Sequence, residues 1–343
     1  MPPSVRTAVV HPIVLRYPDA WSAPPNPHGP AIARRVEGFL RRHGVIADES
    51  GQRIFEHLDV AGYAGLPFPH AGREELTTIA AFLTLWIYYD DGVEERGEPA
   101  IASMERAVRG DGPGPVETDP CHRAFWDLGR RFRAAMSPAW VDRHAARYIE
   151  WLRAVSDEAR LARSLRATGR SPLARDFLPV RLVSVGALPV FSWVEYVTGV
   201  ELGQGLISDE RIRLVERCAT EVIATVNELA GWAKDRKAQW PNLVDAIAAE
   251  ERLSTARAFA RAAAKHNARV DEMARAMEDL LSDPAVSPAV ADWTRAIGHI
   301  TLGLARWHQR APRYRTRHDV GDGQEVSIVL DLVPGEAAGR LAA

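Results

Sequence analysis

Asn227, Gly231 and Asp235 fall four residues apart in the segment Asn-Glu-Leu-Ala-Gly-Trp-Ala-Lys-Asp, with Lys234 beside the last acid. On a helix this spacing stacks the three along one face, drifting by about 40° per step. Two of them offer side-chain oxygens to a hard cation, and the lysine adds a donor for an anion. Asparagine is a weak helix former and glycine costs about 1 kcal/mol against alanine in a helix interior. An apolar helix that carries both on one face uses that face for more than packing; an ordinary polar stripe with an incidental glycine is the alternative. A second group, Asp90, Asp91 and Glu94, follows directly on the apolar residues Phe82, Leu83, Leu85 and Trp86. Asp90 and Glu94 share a face if the helix runs that far. Such carboxylates repel one another, with nothing basic nearby until Arg96. Bound Mg²⁺ would relieve the repulsion; a solvated acidic helix end is the competing account. Asp157-Glu158 and Glu250-Glu251 follow no comparable aromatic wall and read as solvated faces.

Arg181 sits in an otherwise apolar stretch that continues through Ser184, Val185 and Gly186 to Pro189. An unpaired buried charge costs several kcal/mol, so this arginine needs an anionic partner, from the protein or from a ligand. Gly186 with Pro189 predicts a kinked or broken helix whose freed carbonyls face a cavity. Arg313-Tyr314 follows the last long helical stretch, where a basic turn also complements the helix dipole.

The elements that position these groups are helical. Helical patterning covers residues 31–43, with Gly44 as its C-cap, then 49–58, 73–90, 98–108, 121–136, 138–168, 178–198, 209–240, 254–281 and 286–309. Alternation of the β type is confined to 326–332, and no fixed-period repeat is present. The class is all-α, as one large helical domain over 31–315. A proline-rich arm (1–30) precedes it, and a tail (316–343), unstructured over 335–343, follows. In 343 residues of net charge −2, no basic tract argues for nucleic acid. Cys121 and Cys218 form neither a disulfide framework nor a metal spacing, which points to the cytoplasm. The longest apolar run, 79–89, is too short to anchor the chain in a membrane, and prolines interrupt any signal-like N-terminus.

Taken together, the four features resemble the bacterial class I terpene synthases. That family carries an aspartate-rich motif, matched by Asp90-Asp91-x-x-Glu94, and an Asn-x-x-x-Ser-x-x-x-Glu motif, matched by Asn227, Gly231, Lys234 and Asp235. Its diphosphate-sensing arginine matches Arg181, 46 residues before the asparagine, and its C-terminal Arg-Tyr pair matches Arg313-Tyr314. The resemblance covers residues 20–315 and implies a helical bundle around a central cavity. It implies ionisation of a linear prenyl diphosphate, farnesyl or else geranylgeranyl, and cyclisation of the cation to a terpene. Asp90, Asp91, Glu94, Asn227, Gly231 and Asp235 would stand at metal positions, for three Mg²⁺ with Mn²⁺ as an alternative ion. Arg181, Lys234, Arg313 and Tyr314 would hold the diphosphate, while Ser184, Val185 and Gly186 would form the effector region at the helix break. Phe82, Trp86, Tyr89, Phe191, Trp193 and Trp307 are candidates for the lining, or plain core. The resemblance admits a homodimer.

Three residues depart from the family pattern. Gly231 replaces a hydroxyl ligand, Asp235 is one methylene shorter than glutamate, and Val185 stands where glycine is frequent. A chain-elongating prenyltransferase would carry a second Asp-Asp motif, and Asp90-Asp91 is the only pair here. The reading from another class is a non-catalytic isoprenoid-binding helical protein that has lost its metals through Gly231 and Asp235.

Overall fold

The computed structural model describes residues 8–92, 101–112, 119–315, 318–319 and 325–335. Glu94, Arg96, Arg317 and residues 336–343 lie outside the described residues, so the readings made on them do too. The body is all-α. Along the chain run α1 (Gly29–His43), α2 (Glu49–His57), α3 (Val60–Gly65), α4 (Arg73–Asp91) and α5 (Ile101–Arg109). There follow α6 (Pro120–Ala135), α7 (Pro138–Thr168), α8 (Ala174–Ser184), α9 (Ala187–Thr198) and α10 (Gln204–Ile207). The second half holds α11 (Glu210–Lys237), α12 (Leu243–Glu251), α13 (Thr255–Ser282), α14 (Pro288–Arg310) and α15 (Pro312–Arg315). Helices α3, α10, α12 and α15 are additions to the sequence reading.

Local chemistry sets the helix ends. Helix α7 starts where the Ser137 side chain accepts from the Trp140 amide, with Pro138 in the first turn, and stops at Gly169, whose φ is 64°. Gly44 caps α1 as expected, at φ 77°. Helix α4 is apolar almost all round and is buried accordingly; Thr77 and Thr84 satisfy their hydroxyls on carbonyls four residues back. The expected break falls between α8 and α9, where Gly186 takes φ 75°. A Cβ there would lie 2.5 Å from the Trp86 ring, so glycine is required by both conformation and space. Residues 174–198 are long and apolar enough to cross a membrane, but the break divides them into two helices packed within the bundle.

The termini meet. Strand β1 (Ala8–Tyr17) pairs in parallel with β3 (Glu325–Pro334), and β2 (His318–Asp319) pairs antiparallel on the other edge of β3. The alternation seen at 326–332 is therefore a strand, but β1 escaped the sequence reading because Pro12 interrupts it. Hydrogen bonding explains why the proline is tolerated. The Arg16 amide and the Val14 carbonyl point away from β3 and bond the Asn267 side chain at 2.9 and 3.3 Å. Pro12 has the same parity, so its missing N–H costs the ladder nothing. Helix α13 covers this outer edge, and β3 packs on α11.

Helix α14 crosses α3 closely because Gly303 lets it. A Cβ at Gly303 would lie 2.5 Å from the backbone of Leu66 and Pro67, which has no side-chain freedom with which to yield. Gly303→Ala is expected to lower stability by about 1–3 kcal/mol, the usual range for overpacking. Gly203→Ala, with nothing within 4 Å of its Cβ, should be close to neutral. Denaturant midpoints of the two variants compare them directly, and equal midpoints would contradict the packing argument.

Candidate active site

Four elements converge on one opening. The last turn of α4 delivers Asp90 and Asp91 before the chain leaves the helix at Gly92. Helix α8 delivers Arg181 and Ser184, and the break delivers Val185 and Gly186. Helix α11 delivers Asn227, Glu228, Gly231, Lys234 and Asp235. The turn from α14 into α15 delivers His308, Arg313 and Tyr314.

The cavity between them has two parts. The inner chamber is apolar and aromatic, walled by Tyr63, Leu83, Trp86, Trp151, Val190 and Trp307 among others. The outer mouth is lined by Asp90, Asp91, Glu158, Arg181, Glu228, Lys234, Asp235, Arg313 and Tyr314. Asp90, Arg181, Ser184, Asn227 and Tyr314 border both. Of the aromatic candidates, Trp86 and Trp307 line the chamber. Phe82, Phe191 and Trp193 are core, and Tyr89 packs on Phe125 and Trp151. Tyr63 and Trp151 line the chamber instead: Tyr63 stacks on Trp307 at 3.9 Å, and Trp151 meets Trp86 edge-on at 4.6 Å. Their sequence surroundings gave no sign of this, because facing the chamber depends on how α3 and α7 are rotated.

Arg181 is the most constrained group. Its Nε donates to Glu228 at 2.6 Å, Nη1 to Ser184 Oγ at 3.1 Å and Nη2 to Asn227 Oδ1 at 2.7 Å, with Glu158 at 3.6 Å. Burial disfavours its charge, but Glu228 and Glu158 outweigh that and keep the guanidinium fully protonated. The partner required by the sequence is therefore supplied by the protein. Glu158 overturns one expectation. It is 7% exposed and accepts hydrogen bonds from Trp240 Nε1 at 2.7 Å and from the Ser184 hydroxyl. Asp157, one residue earlier, turns about 100° away towards solvent, so an acidic pair on a helix need not share one environment.

At the break, Trp151 Nε1 donates to the Ser184 carbonyl at 2.9 Å. Pro189, four residues after Val185, has no N–H to offer the Val185 carbonyl, and Val185 borders the chamber.

The two acidic groups differ. Arg313 binds Asp91 with both terminal nitrogens, at 2.8 and 2.7 Å. Burial works against the Asp91 charge, yet the Arg313 hydrogen bond and charge hold its carboxyl below the usual range. Asp90 accepts no hydrogen bond among the described residues, and desolvation, then Asp91 and Glu158, push it up to about 7. On α11, Asp235 is engaged through both oxygens, with Lys234 Nζ at 2.7 Å and Asn242 Nδ2 at 3.0 Å. The carboxylate folds back over Gly231, whose Cβ would sit 3.1 Å from Asp235 Oδ2. Among the described residues no three His, Cys, Asp or Glu side chains converge. Asp90 fits a cation, being a desolvated carboxylate among like charges. Asn227, Gly231 and Asp235 fit less well, since Gly231 brings no side-chain oxygen and the other two are already hydrogen-bonded. Glu228, Asn242 and His308 belong to the site and were not read from the sequence: Glu228 follows Asn227 directly, but Asn242 caps α12 and His308 lies on α14, so only the packing of those helices brings them in.

The family model described as terpene synthase family 2, C-terminal metal binding, matches residues 81–272, more than half of the chain. A (−)-β-caryophyllene synthase from Saccharothrix espanaensis, which cyclises (2E,6E)-farnesyl diphosphate, is 28% identical over 205 residues, spanning 57% of each chain. A (12E)-labda-8(17),12,14-triene synthase from Streptomyces cyslabdanicus is 24% identical over 85% of this chain and 89% of its own. The fold resembles the linalool/nerolidol synthase from Streptomyces clavuligerus solved with 2-fluorogeranyl diphosphate. The TM-score is 0.75 at 22% identity, over 83% of this chain and 100% of that one.

The raised Asp90 pKa gives a signed pH dependence. Its carboxyl holds a proton in the folded state up to about 7 but releases it near 3.8 when unfolded. Stability in chelator should therefore fall as pH rises from about 4 to 7, because the folded state binds the extra proton. Asp90→Asn should remove that slope and exceed the wild type at pH 8 by about 1–3 kcal/mol, allowing for solvent in the mouth. Parallel stability–pH curves for the two proteins would contradict the assignment.

Proposed function

The chain belongs to the bacterial class I terpene synthases, and on that footing we propose that it ionises a linear prenyl diphosphate and cyclises the cation. Farnesyl diphosphate is put first because the caryophyllene synthase relative is named for it, with geranylgeranyl diphosphate next. One observation carries the reading: an apolar aromatic chamber opens onto a mouth with more acids than bases, crowded enough that Asp90 is pushed up to about 7. Five acids (Asp90, Asp91, Glu158, Glu228, Asp235) face three bases (Arg181, Lys234, Arg313). Such a mouth would repel a free diphosphate and accept one accompanied by cations.

Mg²⁺, or Mn²⁺ in its place, would neutralise the diphosphate and stabilise it as a leaving group. Asp90 would hold cations on one side, with Asp91 when Arg313 turns to the diphosphate; Glu94 belongs to the same motif. Asn227 and Asp235 would serve the opposite side. Arg181, Lys234, Arg313 and the Tyr314 hydroxyl would donate charge-assisted hydrogen bonds to the departing anion. Trp86, Trp151, Tyr63 and Trp307 would exclude water and present ring faces to the cation, each worth up to about 2 kcal/mol when desolvated. The Val185 carbonyl would point its negative end at the same charge.

Incubation with Mg²⁺ and geranyl, farnesyl or geranylgeranyl diphosphate, followed by gas chromatography–mass spectrometry, tests the proposal. One substrate should give a cyclic product that is lost without metal and falls about 100-fold or more in Asp90→Ala. No product with either Mg²⁺ or Mn²⁺ would favour an isoprenoid-binding protein. Gly231→Ser addresses the missing oxygen. The Asp235 carboxylate need give only a few tenths of an ångström, and the Mg²⁺ needed for half-maximal activity should fall by about tenfold. An unchanged requirement would mean that position 231 does not face a metal.

A further inference from the structure

We infer that His308 is a positioning residue that fixes which end of the Asn227 amide faces the mouth. The inference rests on the reading of Asn227 as a cation ligand and goes beyond it. An asparagine amide has an oxygen at one end and an NH₂ at the other, and only the oxygen can ligate a cation. Asn227 lies between two groups of opposite demand. On one side Arg181 Nη2 sits 2.7 Å away, and a guanidinium can only donate, so this end is Oδ1. On the other side His308 Nε2 lies 3.1 Å from Nδ2.

The tautomer of His308 follows from its other nitrogen. Nδ1 is 2.8 Å from the Leu304 carbonyl, which can only accept, so Nδ1 carries the proton and Nε2 presents a lone pair. That lone pair takes a proton of the Asn227 NH₂, assisted by the Tyr314 hydroxyl at 3.4 Å. The ring is 4% exposed and edged by Trp307 and Tyr314, with centroids at 4.8 Å in each case, so its plane is set by packing. The Leu304 carbonyl belongs to α14, and the whole chain of bonds runs from a helix backbone to one oxygen. Arg181 also orients the amide, but on the proposed reading diphosphate competes for the guanidinium N–H that Asn227 now accepts. His308 then keeps Oδ1 turned towards the mouth when the oxygen is needed.

The test uses inorganic diphosphate at fixed concentration and reads the Mg²⁺ concentration giving half of the thermal stabilisation. His308→Met removes the acceptor at similar size and should raise that midpoint by about tenfold or more, as for other groups that orient metal ligands. His308→Gln restores an acceptor and should recover most of the loss; a pure packing role would not distinguish glutamine from methionine. Asn227→Asp supplies two equivalent oxygens, so adding His308→Met to it should shift the midpoint less than threefold. Comparable tenfold shifts in both backgrounds would overturn the inference. So would a His308→Met midpoint within threefold of wild type while Asn227→Ala abolishes stabilisation, and that result would leave the cation-ligand reading standing. An Asn227→Ala variant that behaves like wild type would instead sink the ligand reading itself. If His308→Met loses its fold, His308→Phe takes its place against His308→Gln.

Discussion

The Arg181 guanidinium, buried beside Glu228 and Glu158, is the interaction on which the rest of the site depends. A charge this deep is tolerable only when it is paired and hydrogen-bonded, and three helices supply the partners. Glu158 comes from α7, Glu228 and Asn227 from α11, and Ser184 from α8 itself. Removing Arg181 would leave two buried carboxylates without a counter-charge, and losing one partner of a buried pair typically costs about 3–5 kcal/mol. The arrangement therefore fixes the mutual rotation of the helices. It also tethers α12, because Glu228 accepts from the Leu243 amide at 2.7 Å and Asn242 bonds the Glu228 carbonyl at 3.0 Å. The α11 groups that line the mouth are thus braced from behind by α12.

What was legible in the sequence, and what was not, follows from the range of the interaction responsible. Helix α7 could be read to the residue because a serine cap, a first-turn proline and a terminal glycine all act locally. The break at Gly186 was equally visible, since glycine and proline are local signals. Which way a residue faces across the bundle was not visible. Glu158 and Asp157 are neighbours with opposite surroundings, and Trp151 reaches the chamber while Trp193 does not. Strand β1 failed for another reason: Pro12 is disqualifying in a ladder and harmless on an edge, and only a pairing partner more than 300 residues away decides which applies. The separations among Asp90, Arg181, Asn227 and Arg313 were readable as a pattern. The pairing of Arg181 with Glu228 and Glu158, and of Arg313 with Asp91, was not.

Asp235 and Gly231 illustrate how a shorter side chain and a missing one adapt to each other. The aspartate settles over the space left by glycine and is held there by Lys234 and Asn242. Any cation bound on α11 has to compete with an ammonium 2.7 Å away. Burial disfavours the charge of that ammonium, but Asp235 keeps it protonated. The two acidic groups of the mouth are thus unequal: Asp90 lacks a counter-charge of its own, whereas Asp235 already has one.

The pairing of β1 with β3 has a consequence for how the molecule comes into being. The strands join residues such as Ala8 and Glu325, so the sheet cannot close until β3 has been synthesised. Contacts of such separation form late, because the entropy of closing the loop must be met before any hydrogen bond is gained. Helix α11 and the Arg313–Tyr314 turn, against which β3 and its neighbours rest, are finished in the same step. The helical bundle can therefore assemble ahead of the sheet, and the support that β3 gives to α11 and Tyr314 arrives last.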